Sequence, residues 1–199
     1  MIELHDKIFD ICGYDGFYIE CGANDGIRQS NTIRLEREKN WRGLLIEASP
    51  SAYEKCVINR DNSKNIILNA TLSSFENQGR VFRGDFDGSL TGSINGTKRK
   101  NNANVEVKCS CLDTFLREHE IKTVDLFSLD VEGYEVDVLK GIDFTYCFPK
   151  MILVEICENR DVIEFLKSAG YSNFINLSKY NKNDYPMWDE KTDDYLFTK

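Results

Sequence analysis

Four acidic residues stand at or just after the ends of apolar runs in this sequence, where their carboxylates could do chemistry together. Glu20, Glu47, Asp130 and Glu155 each follow residues that are typical of buried strands. The carboxyl ends of parallel strands share one edge of a sheet, so these four side chains are expected to converge at one crevice. Carboxylates there suit a ligand that carries a positive charge and hydroxyl groups, and they would repel a phosphate.

A short loop bounded by glycines follows Glu20. Residues 22–26 read Gly-Ala-Asn-Asp-Gly, and Thr32 is the expected N-cap of the helix that comes next. Glycine and asparagine tolerate positive φ, so the loop can turn tightly and bring its backbone close to a ligand. Its glycine spacing differs from the dinucleotide fingerprint, and no phosphate-binding lysine follows. The loop therefore predicts a nucleotide-type site that does not hold a pyrophosphate.

Glu20 and Glu47 indicate which cofactor such a loop would hold. Glu20 suits the cationic amino group of a methionine-like moiety. Glu47 comes 21 residues after Gly26, where βαβ nucleotide-binding folds place the carboxylate that accepts the ribose hydroxyls. The third strand ends near residues 69–71, which topology brings to the adenine. The pattern predicts S-adenosylmethionine, bound by Glu20, Gly22, Ala23, Asn24, Asp25, Gly26, Ser30, Glu47, Ala48, Ser49, Asn69, Ala70, Thr71 and Asp130.

Apolar runs alternate with helical patterns along the chain, which indicates an α/β fold with a parallel sheet that positions these residues. Strands are predicted at residues 17–19, 41–47, 65–71, 105–109, 124–130, 151–156, 171–177 and 195–198, with an antiparallel piece at 80–83. Helices are predicted within residues 1–12 and at 33–38, 50–60, 112–119, 135–140 and 161–169. Ser49 and Pro50 open the third of these helices, and Gly141 closes the fifth as its C′ residue.

Two stretches lack a regular pattern and are candidate substrate loops. Residues 73–104 are rich in Gly, Ser, Asn and Thr, and they form either a substrate lid or an excursion without a role. Residues 178–194 carry several aromatic side chains, which either stack on a sugar or apolar substrate or pack against the domain.

Length and composition limit the classes of protein. The 199 residues fit one domain that spans residues 1–199, and the net charge of -8 argues against an enzyme that tracks nucleic-acid phosphates. The first residues are charged and no apolar run can span a bilayer, so we expect neither a signal peptide nor membrane insertion. The 7 cysteines lack metal-ligand spacing and are expected to be buried, reduced thiols of a cytoplasmic protein.

The motifs together resemble those of the FkbM-type methyltransferases. The matching segments are residues 20–26, 30–32, 44–47, 129–135 and 138–141, within a resemblance that runs from about residue 17 to 155 and resumes at the last strand. It implies a class I methyltransferase (Rossmann-like) fold, a three-layer sandwich around a mostly parallel seven-stranded sheet with one antiparallel strand. It also implies S-adenosylmethionine as methyl donor and hydroxyl acceptors on macrolides, sugars, glycans or glycolipids. Residues 73–104 do not match clearly, so the acceptor is not identified.

The catalytic residues are predicted among the carboxylates. Asp130 is the expected base or base-positioning residue, with Glu132 and Glu155 beside it, because His5 and His119 lie on helices where a structural role is commoner. Two alternatives stay open. Asp130 and Glu155, with Glu158, could bind Mg²⁺ that lowers the pKa of the hydroxyl. Glu132 and Glu135 could instead cap the following helix.

The leading prediction is therefore methylation of a hydroxyl on a sugar, a glycan or another small molecule. One alternative is 2'-O-methylation of an RNA cap, but that chemistry typically uses lysines around the acid of this strand, and residues 129–135 contain none. The other is a cofactor-binding module without catalysis, which the intact acids at the strand ends oppose. No nucleic-acid partner is expected.

Overall fold

The computed structural model describes residues 4–84, 105–157, 161–178 and 192–199. Its helices are α1 (Leu4–Ile11), α2 (Ile33–Lys39), α3 (Pro50–Asn59), α4 (Leu112–Glu118), α5 (Glu135–Leu139) and α6 (Asp161–Ser168). Its strands are β1 (Phe17–Cys21), β2 (Arg42–Glu47), β3 (Ile66–Asn69), β4 (Thr71–Leu72), β5 (Val81–Gly84), β6 (Val105–Ser110), β7 (Leu126–Leu129), β8 (Met151–Cys157), β9 (Asn173–Asn176) and β10 (Thr192–Thr198). A short 3-10 helix covers Phe75–Asn77.

Seven of these strands form the main sheet, in the order β3-β2-β1-β7-β8-β10-β9. Strands β1, β2, β3, β7 and β8 are parallel, whereas β10 is antiparallel to both of its neighbours. This confirms the predicted mostly parallel seven-stranded sheet. The chain builds outward from β1 to β3 and then returns to place β7 on the other side of β1. Strand order therefore reverses between β1 and β7, where sheets of this kind bind their ligands.

Helices cover both faces of the main sheet, which gives the predicted three layers. On one face, Tyr18 and Leu153 of the sheet share a buried cluster with Ile8 of α1, Leu35 of α2 and Cys56 of α3. The opposite face packs against α4, α5 and α6 through buried residues that include Ile19, Phe127, Ile152, Leu116, Val138 and Leu166. Side chains alternate along a strand, so Glu20 and Glu47 lie on the same face as Tyr18 and α1.

The third strand is shorter than predicted because the chain leaves the main sheet after Asn69. There the Asn69 side-chain amide donates to the carbonyl oxygens of Glu47 (2.8 Å) and Ala48 (3.1 Å). Thr71 and Leu72 then form β4, which pairs with β6. The prediction of one continuous strand to residue 71 is therefore wrong at its carboxyl end.

A second sheet, which the sequence did not reveal as a unit, has the order β4-β6-β5. Strand β5 is antiparallel to β6, so the antiparallel piece expected near residues 80–83 is confirmed. In the predicted substrate loop at 73–104, residues 73–84 include the 3-10 helix and β5. Residues 85–104 lie outside the described residues.

The second predicted substrate loop, at residues 178–194, is wrong at its carboxyl end. Strand β10 begins at Thr192 rather than Tyr195, because Thr192 and the two residues after it continue the antiparallel pairing with β8. Residues 179–191 lie outside the described residues.

The start of α2 differs in detail from the prediction. Thr32 stands at the N-cap position, but its hydroxyl donates to Glu20 (2.6 Å) and makes no capping bond. The Ser30 hydroxyl oxygen accepts from the N–H groups of Thr32 (3.3 Å) and Ile33 (3.1 Å) instead. The side chain two residues before the N-cap therefore does the work that was assigned to Thr32.

Gly141 ends α5 for a reason other than a left-handed backbone. It follows Lys140, the C-cap residue, as predicted. Its φ is not positive, and a Cβ at this position would lie 2.3 Å from the carbonyl oxygen of Ser73. Close packing of two backbone segments therefore requires glycine here.

The cysteines with described side chains, Cys12, Cys21, Cys56, Cys109, Cys111 and Cys147, are free and buried, as predicted. No helix in the described part of the chain is long and apolar enough to cross a membrane.

Candidate active site

The glycine loop is packed against the ends of both neighbouring strands. The N–H groups of Gly22 and Ala23 donate to the carbonyl oxygen of Ile46 at 3.0 and 3.2 Å. Gly22 has a φ of 81°, and a Cβ there would lie 1.9 Å from the carbonyl oxygen of Asp130. Only glycine fits this position, because the loop packs directly against the backbone of Asp130 at the point where strand order reverses.

Glu47 is held in one orientation at the end of β2. Its Oε2 accepts from the N–H of Asn24 (2.7 Å), and its Oε1 accepts from the N–H of Ser49 (2.7 Å). Burial raises the pKa of this carboxyl, although the same backbone N–H groups oppose the shift. Each oxygen keeps a further acceptor site. The pair of oxygens is thus suited to two neighbouring hydroxyl groups, such as those of a ribose.

The predicted loop residues Asn24 and Asp25 have mainly backbone roles in the structure. Asn24 adopts a positive φ of 48°, which directs its N–H to Glu47. The Oδ1 of Asp25 accepts from the N–H groups of Ile27 (3.0 Å) and Arg28 (2.8 Å). These bonds shape the loop, and a direct contact between either side chain and a ligand stays a prediction.

Ser49 has the helix-opening role that the sequence indicates. Its hydroxyl oxygen accepts from the N–H of Ala52 (3.3 Å), and Pro50 is the first residue of α3. Ser49 thus caps α3 with its side chain and binds Glu47 with its backbone N–H. This arrangement links the start of α3 to the carboxylate that faces the predicted ribose.

The residues that were assigned to the adenine occupy different environments. Asn69 is exposed and its amide is bound to the β2 end, while the N–H of Ala70 donates to the carbonyl oxygen of Glu47 (3.1 Å). Thr71 is buried in the second sheet, where its hydroxyl oxygen has no hydrogen-bond partner among the described atoms. The adenine contact of this segment stays a prediction.

Glu20 is placed in a buried network rather than at an open surface. It is 3% exposed and accepts from the hydroxyl of Ser30 (2.9 Å to Oε1), the N–H of Asn31 (2.9 Å) and the hydroxyl of Thr32 (2.6 Å). Arg60 Nη1 lies 3.2 Å from its Oε2. Its surroundings therefore differ from those of Glu47, although both acids stand at the end of a parallel strand.

Three carboxylates meet beyond β7, as the sequence predicts for the catalytic set. One oxygen of each of Asp130, Glu132 and Glu155 lies within 4.8 Å of the other two. The Oδ1 of Asp130 is buried and has no hydrogen-bond partner among the residues that the structure describes. Asp194 of β10 lies opposite Glu155 in the strand register and adds a fourth acid to this neighbourhood. We name Asp130, Glu132 and Glu155 the acidic cluster.

The acidic cluster changes the proton affinity of its central member. Burial, followed by the charges of Glu155 and Glu132, raises the pKa of the Asp130 carboxyl well above its ordinary value. Glu135 and Asp194 act in the same direction. A cationic ligand at this position would offset part of that repulsion.

Glu132 and Glu135 separate into two roles. The Oε1 of Glu135 accepts from the N–H groups of Gly133 (2.9 Å) and Val131 (3.3 Å), which precede α5, so Glu135 holds the turn before this helix. The capping role of Glu132 and Glu135 stays a prediction. Glu132 has a positive φ of 58°, which is uncommon for a residue with a side chain. This turn places its carboxylate in the acidic cluster. Glu158, the third predicted metal ligand, lies outside the described residues.

Neither histidine belongs to this edge of the sheet. His119 is the C-cap residue of α4 and lines a cleft of about 540 Å³ with Phe17 and Arg42, at the amino ends of the strands. His5 lies on α1 next to Asp6. The structural placement that was expected for both residues agrees with these positions.

Sequence reasoning missed three residues at or behind the site. Arg60 is buried at the C-cap of α3 and reaches Glu20. Asn31 donates from its amide to the Ser128 hydroxyl (3.1 Å), and Asp194 faces the acidic cluster from β10. Asn31 lies in the 30–32 motif, and Asp194 lies in the predicted loop at 178–194. Nothing in the local pattern around Arg60 marks it as buried.

A family model described as the methyltransferase FkbM domain matches residues 20–172, more than half of the chain. The chain belongs to the FkbM methyltransferase family. Residues 20–172 thus form a methyltransferase domain of a family that uses S-adenosylmethionine. The match covers both the glycine loop and the acidic cluster.

Solved structures share the fold of this FkbM methyltransferase at low sequence identity. Methyltransferase FkbM from Methylobacillus flagellatus KT is 14% identical with a TM-score of 0.54, over 92% of this chain and 43% of that one. This chain thus spans less than half of that protein. Precorrin-6y C5,15-methyltransferase from Geobacter metallireducens GS-15 is 13% identical with a TM-score of 0.52, over 98% and 87% of the two chains. No curated protein matches the chain.

The site of this FkbM methyltransferase fits the cofactor of its family. The Oδ1 of Asp130 is buried without a hydrogen-bond partner among the described residues, and the fixed carboxylate of Glu47 offers two oxygens to a ribose. When bound, S-adenosylmethionine supplies a methyl group on a positively charged sulfur. The individual contacts of the other residues assigned to it stay predictions.

Proposed function

We propose that this FkbM methyltransferase transfers a methyl group to a hydroxyl of a sugar, a glycan or another small molecule. The observation that carries the proposal is the Oδ1 of Asp130, a buried carboxylate oxygen at the reversal point of the sheet that no donor of the described ranges reaches. A hydroxyl acceptor must lose its proton as the new C–O bond forms, and such an oxygen can accept it. A deoxyhexose is the first acceptor to test.

The proposed reaction is an in-line displacement. The acceptor oxygen forms a bond to the methyl carbon while the bond from that carbon to sulfur breaks, and the acceptor proton passes to Asp130. Glu132 and Glu155 set the proton affinity of Asp130 through their charges. Orientation of the two reactants supplies much of the rate in such a reaction, so the rigid strand ends are suited to hold them.

The test of this function combines turnover with cofactor binding. The protein is incubated with methyl-labelled S-adenosylmethionine and a panel of hexoses, deoxyhexoses and small alcohols, and O-methyl products are identified by mass spectrometry. Asp130→Asn is expected to lower kcat at least about 100-fold, in the range that general-base catalysis contributes. Its affinity for S-adenosylhomocysteine is expected to stay within about threefold of wild type, or about 0.7 kcal/mol.

Asp137→Asn is the matched control, because Asp137 is a neighbouring carboxylate of α5 outside the acidic cluster. It should keep wild-type turnover. A fully active Asp130→Asn protein would contradict the assignment of the base. Labelled products on nitrogen or carbon, with none on oxygen, would contradict the proposed acceptor class.

We also propose Mg²⁺ as a second occupant of the acidic cluster. Its three carboxylates offer oxygen ligands within 4.8 Å of one another, and Mg²⁺ takes oxygen ligands. Such an ion would hold the acceptor oxygen and lower the pKa of its hydroxyl. Turnover is measured after EDTA treatment and again after Mg²⁺ is restored. Unchanged turnover in EDTA would contradict a role for Mg²⁺, and Asp130 would then accept the proton without a metal ion.

Two other functions have distinct signatures in the same assay. An RNA-cap ribose methyltransferase would label capped RNA, and its RNA binding would weaken steeply with salt. A module without catalysis would bind S-adenosylhomocysteine and label no acceptor. We propose a cytoplasmic enzyme, supported by its buried free cysteines, without a nucleic-acid partner, which the net charge of -8 supports.

A further inference from the structure

Glu20, the obvious partner for the amino group of the cofactor, has no acceptor site left for it. Three donors from residues 30–32 and one from Arg60 reach its two oxygens. An ionised carboxylate offers about four acceptor positions, so these contacts fill it. Because Glu20 is also only 3% exposed, a bound ammonium group cannot reach it without displacing one of these donors.

The donors that fill Glu20 belong to one short segment, which is thereby fixed in position. Ser30 and Thr32 donate through their hydroxyls and Asn31 through its backbone N–H. Arg60 strengthens the same segment, since its Nη1 donates to the Ser30 hydroxyl (3.1 Å) and its Nη2 to the Thr32 hydroxyl (3.0 Å). The two sequence motifs around residues 20 and 30 therefore bind one another.

This fixed backbone leaves the side chain of Asn31 at the edge of the site. Asn31 is partly exposed, and its amide Nδ2 donates to the Ser128 hydroxyl (3.1 Å) on β7. The bond crosses from the loop after β1 to β7, over the point where strand order reverses. With Nδ2 turned to Ser128, the carbonyl Oδ1 has no hydrogen-bond partner in the described part of the chain.

The order of the strands indicates which part of the cofactor would meet the Oδ1 of Asn31. The predicted site has the ribose at Glu47, at the end of β2, and the adenine toward β3 on the outer side of the sheet. The remaining end of the cofactor, which carries the ammonium and carboxylate groups, then extends over β1 toward β7. Asn31 stands at that place, and an amide oxygen is a good acceptor for an ammonium group.

We propose that Asn31 binds the amino-acid end of S-adenosylmethionine through its Oδ1, and that Glu20 and Arg60 are positioning residues that hold Asn31 there. Glu20 acts through the backbone of residues 30–32 and does not touch the cofactor. The inference rests on membership of the FkbM methyltransferase family and does not depend on the acceptor.

The test compares two sulfide ligands by calorimetric titration. S-adenosylhomocysteine has the amino-acid end, whereas 5'-methylthioadenosine lacks it and keeps the adenosine. Asn31→Ala should weaken binding of S-adenosylhomocysteine about 10- to 100-fold, as expected when a hydrogen bond to a charged group is lost. Binding of 5'-methylthioadenosine should stay within about twofold of wild type, or about 0.4 kcal/mol.

A conservative variant and a control separate recognition from folding. Asn31→Asp keeps an acceptor oxygen and should retain the affinity for S-adenosylhomocysteine. Asn62→Ala, an exposed asparagine of the turn after α3, should change neither affinity. Equal weakening of both ligands in Asn31→Ala would overturn the proposal, because a disturbed site has no preference for the amino-acid end. Wild-type binding of both ligands would overturn it as well.

The positioning role of Glu20 is tested by coupling. Glu20→Gln should raise the dissociation constant of S-adenosylhomocysteine relative to that of 5'-methylthioadenosine, as Asn31→Ala does. The double variant should show no larger ratio of these two constants than Asn31→Ala alone. Additive effects would show that Glu20 meets the ligand itself and would overturn its positioning role. Circular dichroism checks that each variant is folded, and if Glu20→Gln is not, the Asn31 variants still decide the main claim.

Discussion

Glu47 and Glu20 show how far the surroundings of a carboxylate decide what it can do. Glu47 is fixed by two backbone N–H groups and keeps acceptor sites for a ligand. Glu20 is filled by donors of its own chain. Asp130 is different again, because its neighbours are acids and burial raises its pKa. All three are acidic residues at the end of a parallel strand, so their different roles come from the groups that surround them.

Glu47 supplies the prediction at the scale of one residue. Glu47→Ala removes the two oxygens that are predicted to bind the ribose, and it should weaken binding of S-adenosylhomocysteine about 10- to 100-fold or more in calorimetric titration. Unlike Asn31→Ala, it should weaken 5'-methylthioadenosine to the same extent, since both ligands carry the ribose. Glu54→Ala, an exposed acid of α3, is the control. Wild-type affinity in Glu47→Ala would contradict the placement of the ribose.

At the scale of elements, the site depends on how closely the loops after β1 and β7 approach. The N–H of Asp130 donates to the carbonyl oxygen of Cys21 (3.2 Å), and Gly22 lies against the Asp130 backbone. The glycine loop and the acidic cluster are thus parts of one packed unit. The parallel pairing of β1 with β7 brings the unit together, although its two halves are more than a hundred residues apart.

Gly22→Ala tests this unit. The new Cβ would meet the Asp130 carbonyl oxygen at 1.9 Å in a backbone with positive φ, so the two loops must move apart. We expect a loss of about 2–4 kcal/mol in the free energy of unfolding, which is about 5–15 °C in Tm for a chain of this size. Affinity for S-adenosylhomocysteine should fall as well.

Gly13→Ala is the matched control for that change, since no atom lies within 4 Å of a Cβ at position 13 and its φ is not positive. Differential scanning calorimetry should give a Tm close to wild type for this variant. If Gly22→Ala also melts at the wild-type temperature and binds normally, the contact between the two loops is not needed.

At the scale of the whole molecule, a buried polar network joins β1, α2, α3 and the start of β3. Arg60 is its centre, with Glu36 Oε2 2.7 Å from its Nε and the Tyr18 hydroxyl 2.6 Å from its Nη2. The side-chain amide of Asn65 donates to Glu36 (2.8 Å). Every N–H group of a buried guanidinium needs a partner, and this network supplies them. It ties these four elements together.

The network predicts a dependence of stability on pH. Burial alone would raise the pKa of Glu36, but the charge and hydrogen bond of Arg60 outweigh it, and the pKa is lowered. A carboxyl whose folded-state pKa lies below its unfolded value stabilises the fold above the unfolded value, about 4.3, and loses that contribution as pH falls through the folded value. Glu36→Gln should thus cost about 3–5 kcal/mol at pH 7, and the difference from wild type should shrink below about pH 4.

Denaturant unfolding at a series of pH values measures this difference. Glu38→Gln is the control, because Glu38 lies on the same helix but forms its ion pair with Arg34 at the surface. It should change the free energy of unfolding little at any pH. A Glu36→Gln difference that is the same at pH 7 and pH 3 would contradict the charge coupling to Arg60.

The sequence by itself determined the order of strands and helices, the loop at Gly22 and the carboxylate at Glu47. These features depend on neighbours in the chain: apolar runs select strands, glycine selects the turn, and the βαβ spacing fixes where the second acid falls. The sequence did not predict the end of β3, the second sheet or the start of β10, because pairing between strands that are distant in the chain decides these features.

The roles of the acids were decided only by the tertiary structure. Glu20 meets Arg60 40 positions further along the chain, and Asn31 meets Ser128 97 positions away. Asp130 lies beside Glu155 and Asp194, which come from two other strands. No local sequence pattern identifies such partners, since they come together only when distant strands pair in the sheet. The physical reason is that a buried charge takes its properties from whatever the fold packs against it.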